Sequence, residues 1–148
     1  MYKYTITYED FSGENVTETL YFNLTKTEAM GLASKENGKY TEILKNIADI
    51  GNPQRILEVF SEIVLMSYGE RSEDGRKFIK NDRIREEFRC SAAYDEFMTK
   101  VMTDMDFAVN FVNLVIPTKG INAMVDKLTK EKKALEDTNN SQKVESNE

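Results

Sequence analysis

The sequence predicts an α+β fold: an N-terminal β-hairpin packed on a mainly helical bundle, with a disordered polar tail at the C-terminus. Three observations carry that expectation. Apolar and polar side chains alternate at the start of the chain, apolar residues recur at helical spacing from Leu24 to Leu128, and residues 129–148 are nearly all polar. Residues 1–128 are therefore expected to form a single mainly helical domain that includes the hairpin, and residues 129–148 a flexible tail.

The hairpin comes first. Tyr2, Tyr4, Ile6 and Tyr8 alternate with Lys3, Thr5 and Thr7, and after Glu9-Asp10-Phe11-Ser12-Gly13 a second alternating run carries Val16, Leu20 and Phe22 on one face. Two strands alone are marginal in water, so the covered face has to pack on helices. Those helices begin at Thr25, which can cap a backbone N–H while Glu28, three residues on, returns the bond. A first helix carries Ala29, Met30, Leu32 and Ala33 and should stop near Asn37-Gly38. A second places Tyr40, Ile43, Leu44 and Ile47 at helical spacing and stops at Gly51. Asn52-Pro53 is a cap followed by proline at the first helical position, opening a third helix with apolar residues on most of its circumference, the expected centre of the bundle.

That third helix should end at Tyr68-Gly69, and residues 69–76 read as a charged surface loop turning at Asp74-Gly75 before the short run Lys77-Phe78-Ile79-Lys80. A short charged helix from Asn81 presents Ile84 and Phe88. Ser91 caps the next helix, and Thr103 with Asp106 should restart the chain as a further helix bearing Phe107, Ala108, Phe111, Val112 and Val115, ended by Pro117. Ile121, Met124, Val125 and Leu128 fit a last amphipathic turn. No segment repeats at a fixed spacing.

Composition narrows the chemistry. With 148 residues, 40% of them hydrophobic, the chain can bury roughly 68–70% of the surface its unfolded form exposes. Histidine is absent, which removes imidazole bases, Ser-His and Cys-His nucleophiles and His-ligated metals. Cys90 is the only cysteine, so neither an intramolecular disulfide nor a cysteine zinc cage can form, as expected of a reducing compartment. No glycine-rich phosphate loop occurs, and the loop around Asp74 lacks the spaced oxygen ligands of an EF-hand. No catalytic, cofactor-binding or metal-binding residues are expected, and the chain is not expected to be an enzyme. The start of the chain has no apolar stretch long enough for a signal peptide or membrane span, so no membrane partner is expected.

Twenty basic against twenty-six acidic residues leave a formal charge of −6, which repels a polyphosphate backbone. The densest basic cluster, Arg71, Arg76, Lys77, Lys80, Arg83, Arg85 and Arg89, is interleaved with Glu73, Asp74, Asp82, Glu86 and Glu87. A solvated, self-paired face is expected there, and no nucleic-acid partner. The candidate interaction residues are Tyr94, Met98, Met102 and Met105, a stripe on one helix face. Such a stripe is either core or the border of a groove in which unbranched, polarisable methionines accept several apolar sequences.

Four blocks of sequence carry a resemblance. They are Tyr4-Thr5-Ile6-Thr7-Tyr8-Glu9-Asp10-Phe11, Tyr21-Phe22-Asn23-Leu24-Thr25-Lys26-Thr27-Glu28, the stretch from Ser67 to Lys80, and Phe111-Val112-Asn113-Leu114-Val115-Ile116-Pro117. Together they resemble tail assembly chaperones of long-tailed bacteriophages and prophages of Gram-positive bacteria. The resemblance implies a morphogenesis factor of the host cytoplasm that binds the tape-measure protein and helps recruit tail-tube subunits. It also implies a longer form made by frameshifting, and it supplies no defined binding residues. Homo-oligomerisation stays open. The alternative is a structural virion protein, such as a head-tail connector or tail component, which would share the acidic, helical, non-catalytic profile.

Overall fold

The computed structural model describes residues 1–35, 51–117 and 134–138. Strands β1 (Tyr2–Glu9) and β2 (Asn15–Phe22) pair antiparallel in one unbroken register, from Tyr2 opposite Phe22 to Glu9 opposite Asn15. Their turn is tight. The Gly13 N–H donates to the Asp10 carbonyl, and the Asp10 carboxylate accepts from the Ser12 N–H, the Ser12 hydroxyl and the Glu14 N–H. Gly13 takes a φ of 85°, which a residue with a Cβ reaches only at a cost. The alternation read from the sequence is realised: Ile6, Leu20 and Phe22 are buried, while Lys3, Thr5, Thr7, Thr17 and Thr19 are exposed. On that outer face the Thr5 and Thr19 hydroxyls lie 3.1 Å apart and those of Thr7 and Thr17 2.8 Å.

Helix α1 (Lys26–Ser34) begins with the expected capping box: the Glu28 N–H donates to Thr25 Oγ1 and the Thr25 N–H to Glu28 Oε2. It buries Ala29, Leu32 and Ala33 and leaves Met30 exposed. The expected second helix lies outside the described residues. Helix α2 (Pro53–Ser67) starts as predicted, with the Asn52 side chain accepting from the Gln54 N–H and proline in its first turn. Its buried face is Val59, Phe60, Ile63, Val64 and Ser67, and Leu57 faces solvent at 45% exposure, so the apolar surround is not buried all the way round.

Beyond α2 the structure corrects the expected loop. Strands β3 (Tyr68–Arg71) and β4 (Phe78–Ile79) form a second hairpin, and Tyr21 opposite Gly69 joins β3 to β2 in a four-stranded sheet ordered β1-β2-β3-β4. The turn is held by the Ser72 N–H donating to the Lys77 carbonyl, and by the Asp74 carboxylate accepting from the Ser72 hydroxyl and the Arg76 N–H. Only Gly69 fits where it sits. A Cβ there would lie 2.8 Å from both the Ile79 carbonyl oxygen and Phe78 Cε1.

Helices α3 (Asp82–Arg89), α4 (Ala92–Thr103) and α5 (Met105–Val115) follow, capped by Asn81, Ser91 and Asp104. Asp104 replaces the expected Thr103 as the last cap. Its carboxylate accepts from the Phe107 N–H, while the Thr103 hydroxyl donates back to the Thr99 carbonyl inside α4. Pro117 follows the end of α5, as expected. The expected turn over 121–128 and most of the tail lie outside the described residues. Within the segment expected to be disordered, residues 134–138 form a short helical stretch with exposed side chains, in keeping with the helix-favouring Ala134-Leu135-Glu136. An N-terminal hairpin with several helices is the α+β arrangement predicted.

The core is aromatic. Phe22, fully buried on β2, stacks on Phe97 of α4 at 4.8 Å and meets Phe111 of α5 edge-on at 5.2 Å, with Tyr2, Tyr68 and Phe88 closing the ring. Tyr4 on β1 meets Phe97 and Phe107 edge-on at 5.5 and 5.2 Å. These geometries match the preferred arrangements of ring quadrupoles. Helices α4 and α5 thereby cover the inner face of the first hairpin. A polar clasp closes the other side: Lys80 Nζ donates to the Asn23 carbonyl at 2.9 Å and to Glu28 Oε2 at 2.5 Å, tying the residues after β4 to the start of α1.

Candidate partner-binding surface

Ser91 caps α4 by accepting from the Tyr94 N–H, which sets the first apolar turn of the helix against the sheet. Tyr94 is half-buried. Its ring meets Phe88 edge-on at 5.4 Å and its hydroxyl shares a 2.8 Å hydrogen bond with Ser61, so it links α2, α3 and α4. Met98, one turn on, is 6% exposed and belongs to the core. Met102 is half-buried near the end of α4. Met105 is 40% exposed.

The four candidates therefore do not share one helix face. The chain breaks at Asp104, and Met105 opens α5. Tyr94 and Met98 are engaged chiefly by the protein itself, while Met102 and Met105 flank the α4–α5 corner. One turn past Met105, Val109 is 39% exposed, and Leu114 further along α5 is 55% exposed. The sequence reading passed over both. The signal for Val109 was its i+4 spacing from Met105, which places the two on one helix stripe. The corner also carries charge. Asp104 and Asp106 are exposed, and Lys100 Nζ lies 5.2 Å from the centre of the Phe107 ring.

Covering the exposed part of one such methionine stabilises a complex by roughly 0.5–1 kcal/mol, since full burial of a side chain this size is worth about 1.5–3 kcal/mol. A second apolar projection is Phe11, 85% exposed at the tip of the β1–β2 turn and set there by the Asp10 hydrogen bonds. Its signal was an aromatic residue inside a turn sequence, where no packing need explains it.

Three members of the basic cluster pair within it as expected, Arg83 with Glu87, Arg85 with Asp82 and Arg89 with Glu86, while Lys80 reaches outside it to Glu28. Arg85 Nε also donates to the Leu65 carbonyl in the last turn of α2, where positive charge is favoured. A polar groove of about 640 Å³ opens between β2 and the β3–β4 turn, walled by Glu18, Tyr21, Glu70, Arg71, Ser72 and Asp74. Among the described residues no group of three His, Cys, Asp or Glu side chains is placed to hold a metal ion, and no described helix is long and apolar enough to cross a membrane. Cys90 is exposed, with its thiol 3.6 Å from a Glu86 carboxylate oxygen.

Glu28 is a carboxylate tied into the fold on two sides, by Lys80 and by the Thr25 N–H. Burial pushes its pKa up, but the Lys80 ammonium and the Thr25 N–H outweigh that and hold it below the usual carboxylate range. It is a structural clasp, with an anchoring partner on each side, rather than a proton-transfer group.

No curated protein and no solved structure matches the chain. A family model does match, and it spans residues 1–148. By that match over all of these residues, the chain belongs to the phage tail assembly chaperones.

Proposed function

We propose that the protein binds the tape-measure protein in the host cytoplasm during tail morphogenesis, shields its apolar helical seams and assists recruitment of tail-tube subunits. The observation that carries this reading is the family match over the whole chain. Members of that family are helpers of tail assembly that act through protein partners. The proposed contact is the α4–α5 corner, where Met102 and Met105 present thioethers able to adapt to different apolar neighbours, extended by Val109 and supported from below by Tyr94 and Met98. A helical client would lay its apolar face along such a corner, and the acidic surface around it would keep the complex dispersed. In the same reading residues 1–128 are the folded unit and residues 129–148 a polar extension.

The test is co-expression with the cognate tape-measure protein. The soluble fraction of that protein should rise with the chaperone present and fall back with Met105→Asp. No change in solubility on co-expression would remove the proposal.

A further inference from the structure

Among the described residues the sheet ends at β1, and no backbone hydrogen bond reaches Tyr2–Glu9 from any segment other than β2. The direction of its backbone groups follows from the turn. The Asp10 N–H donates to the Glu14 carbonyl, so Asp10 opposite Glu14 is a hydrogen-bonded pair, and such pairs recur at every second residue. Tyr8, Ile6, Tyr4 and Tyr2 thus point their N–H and C=O groups at β2. Lys3, Thr5, Thr7 and Glu9 point theirs outward, and their side chains are all exposed. β1 carries no proline, bulge or inward-facing charge, and of the devices that blunt an edge it has only the exposed charges Lys3 and Glu9.

We infer that this edge pairs with β1 of a second copy of the chain, antiparallel about a two-fold axis through Ile6, to give one continuous eight-stranded sheet. Only registers that set odd-numbered residues opposite odd-numbered residues join the outward-facing groups. Among these, charge selects one. Centring on Ile6 puts Lys3 opposite Glu9 of the second copy at both ends, and Thr5 opposite Thr7 in between. Centring on Thr5 or Thr7 leaves Lys3 or Glu9 facing threonine.

The chosen register also extends the threonine rows already present. Thr19, Thr5 and then Thr7 and Thr17 of the second copy line up across four strands on the outer face, continuing the hydroxyl contacts at 3.1 and 2.8 Å. Four hydrogen-bonded residue pairs form, with two bonds each. The contact is isologous and uses the edge completely, while the opposite edge of the sheet, β4, is only two residues long. The assembly therefore closes at two copies instead of growing. Exposed charges contribute little affinity, so Lys3 and Glu9 set the register while the backbone ladder holds the pair.

The experiment is sedimentation velocity of the full chain across a concentration series. The wild type should run at twice its 17.1 kDa mass. Lys3→Glu puts like charges together at both ends and should weaken the dimer about tenfold, since two repulsive contacts are created per dimer. Lys3→Glu combined with Glu9→Lys should restore it. Thr5→Pro, which removes an outward N–H and no β1–β2 bond, should leave a monomer with wild-type circular dichroism. If the proline variant fails to fold, the charge exchange alone decides. A wild type that stays monomeric at its highest soluble concentration overturns the inference, as does a dimer indifferent to both charge variants.

Discussion

Replacing Phe22 by alanine tests whether the aromatic cluster holds the two parts of the fold together. Phe22 sits on β2 at 0% exposure and touches five rings from five other elements: Tyr2, Tyr68, Phe88, Phe97 and Phe111. Truncation removes the transfer free energy of the ring and leaves a cavity bordered by groups that cannot all collapse into it. Phenylalanine-to-alanine changes at such sites cost about 3–5 kcal/mol, and ring–ring geometry adds to area burial here, so the upper half of that range applies. In a chain of this length each kcal/mol moves Tm by about 2–4 °C, so Tm should fall by roughly 8–20 °C. Against a typical total of about 5–15 kcal/mol, that leaves the variant marginal or unfolded at physiological temperature. Phe11→Ala is the matched control, removing the same side chain from an 85% exposed position, and should move Tm by under about 2 °C. The assay is thermal and urea denaturation followed by circular dichroism. A Phe22→Ala loss below about 1 kcal/mol, or one equal to that of Phe11→Ala, would refute the idea that β2 is the hub of the core.

Further outcomes follow from other contacts. Lys80→Met should cost about 1–3 kcal/mol in urea denaturation, because the Asn23 carbonyl and Glu28 lose their shared donor. Glu28 has a folded pKa below its ordinary 4.5, so its contribution is present above that value and lost as pH falls through the lower folded value; the wild type should therefore lose more stability on acidification than Lys80→Met, and equal losses would contradict the clasp. Gly69→Ala should destabilise by about 1–3 kcal/mol, since its Cβ would press on the Ile79 carbonyl at 2.8 Å, and an unchanged Tm would mean that β3 and β4 do not pack this closely. Asp104→Ala should cost about 0.5–2 kcal/mol and Thr103→Ala clearly less, a ranking that chemical denaturation of both variants would reverse if Thr103 were the cap.

What could be read from the sequence was what is decided locally. The caps at Thr25, Asn52 and Ser91 depend on a side chain reaching a backbone N–H two or three residues away, and each was visible as a short pattern. The first hairpin was visible because one face is covered and the other wet, which writes an alternation of period two. The second hairpin left no such mark. Strands β3 and β4 are four and two residues long, and β3 joins the sheet through Tyr21 and Phe22, more than forty residues away in the chain. Only Asp74-Gly75 hinted at it.

The candidate surface was partly legible for the same reason. The spacing of Tyr94, Met98, Met102 and Met105 fits one continuous helix, and continuity fails at a single residue, Asp104, where a carboxylate competes for the first N–H groups of a new helix. Burial then separates the members: Met98 is enclosed by neighbours from distant parts of the chain, and Met105 is not. The bond from Lys80 to Glu28 spans 52 residues and joins two of many opposite charges, so composition alone could not select it.

The central claim is that this protein works by holding an apolar helical client at the α4–α5 corner. Its most direct measurement is size-exclusion chromatography with light scattering on the purified chain mixed with a helical segment of the tape-measure protein. The account predicts a stoichiometric complex that Met105→Asp disrupts while leaving the chain folded. Separate elution of the two proteins at every concentration would contradict it.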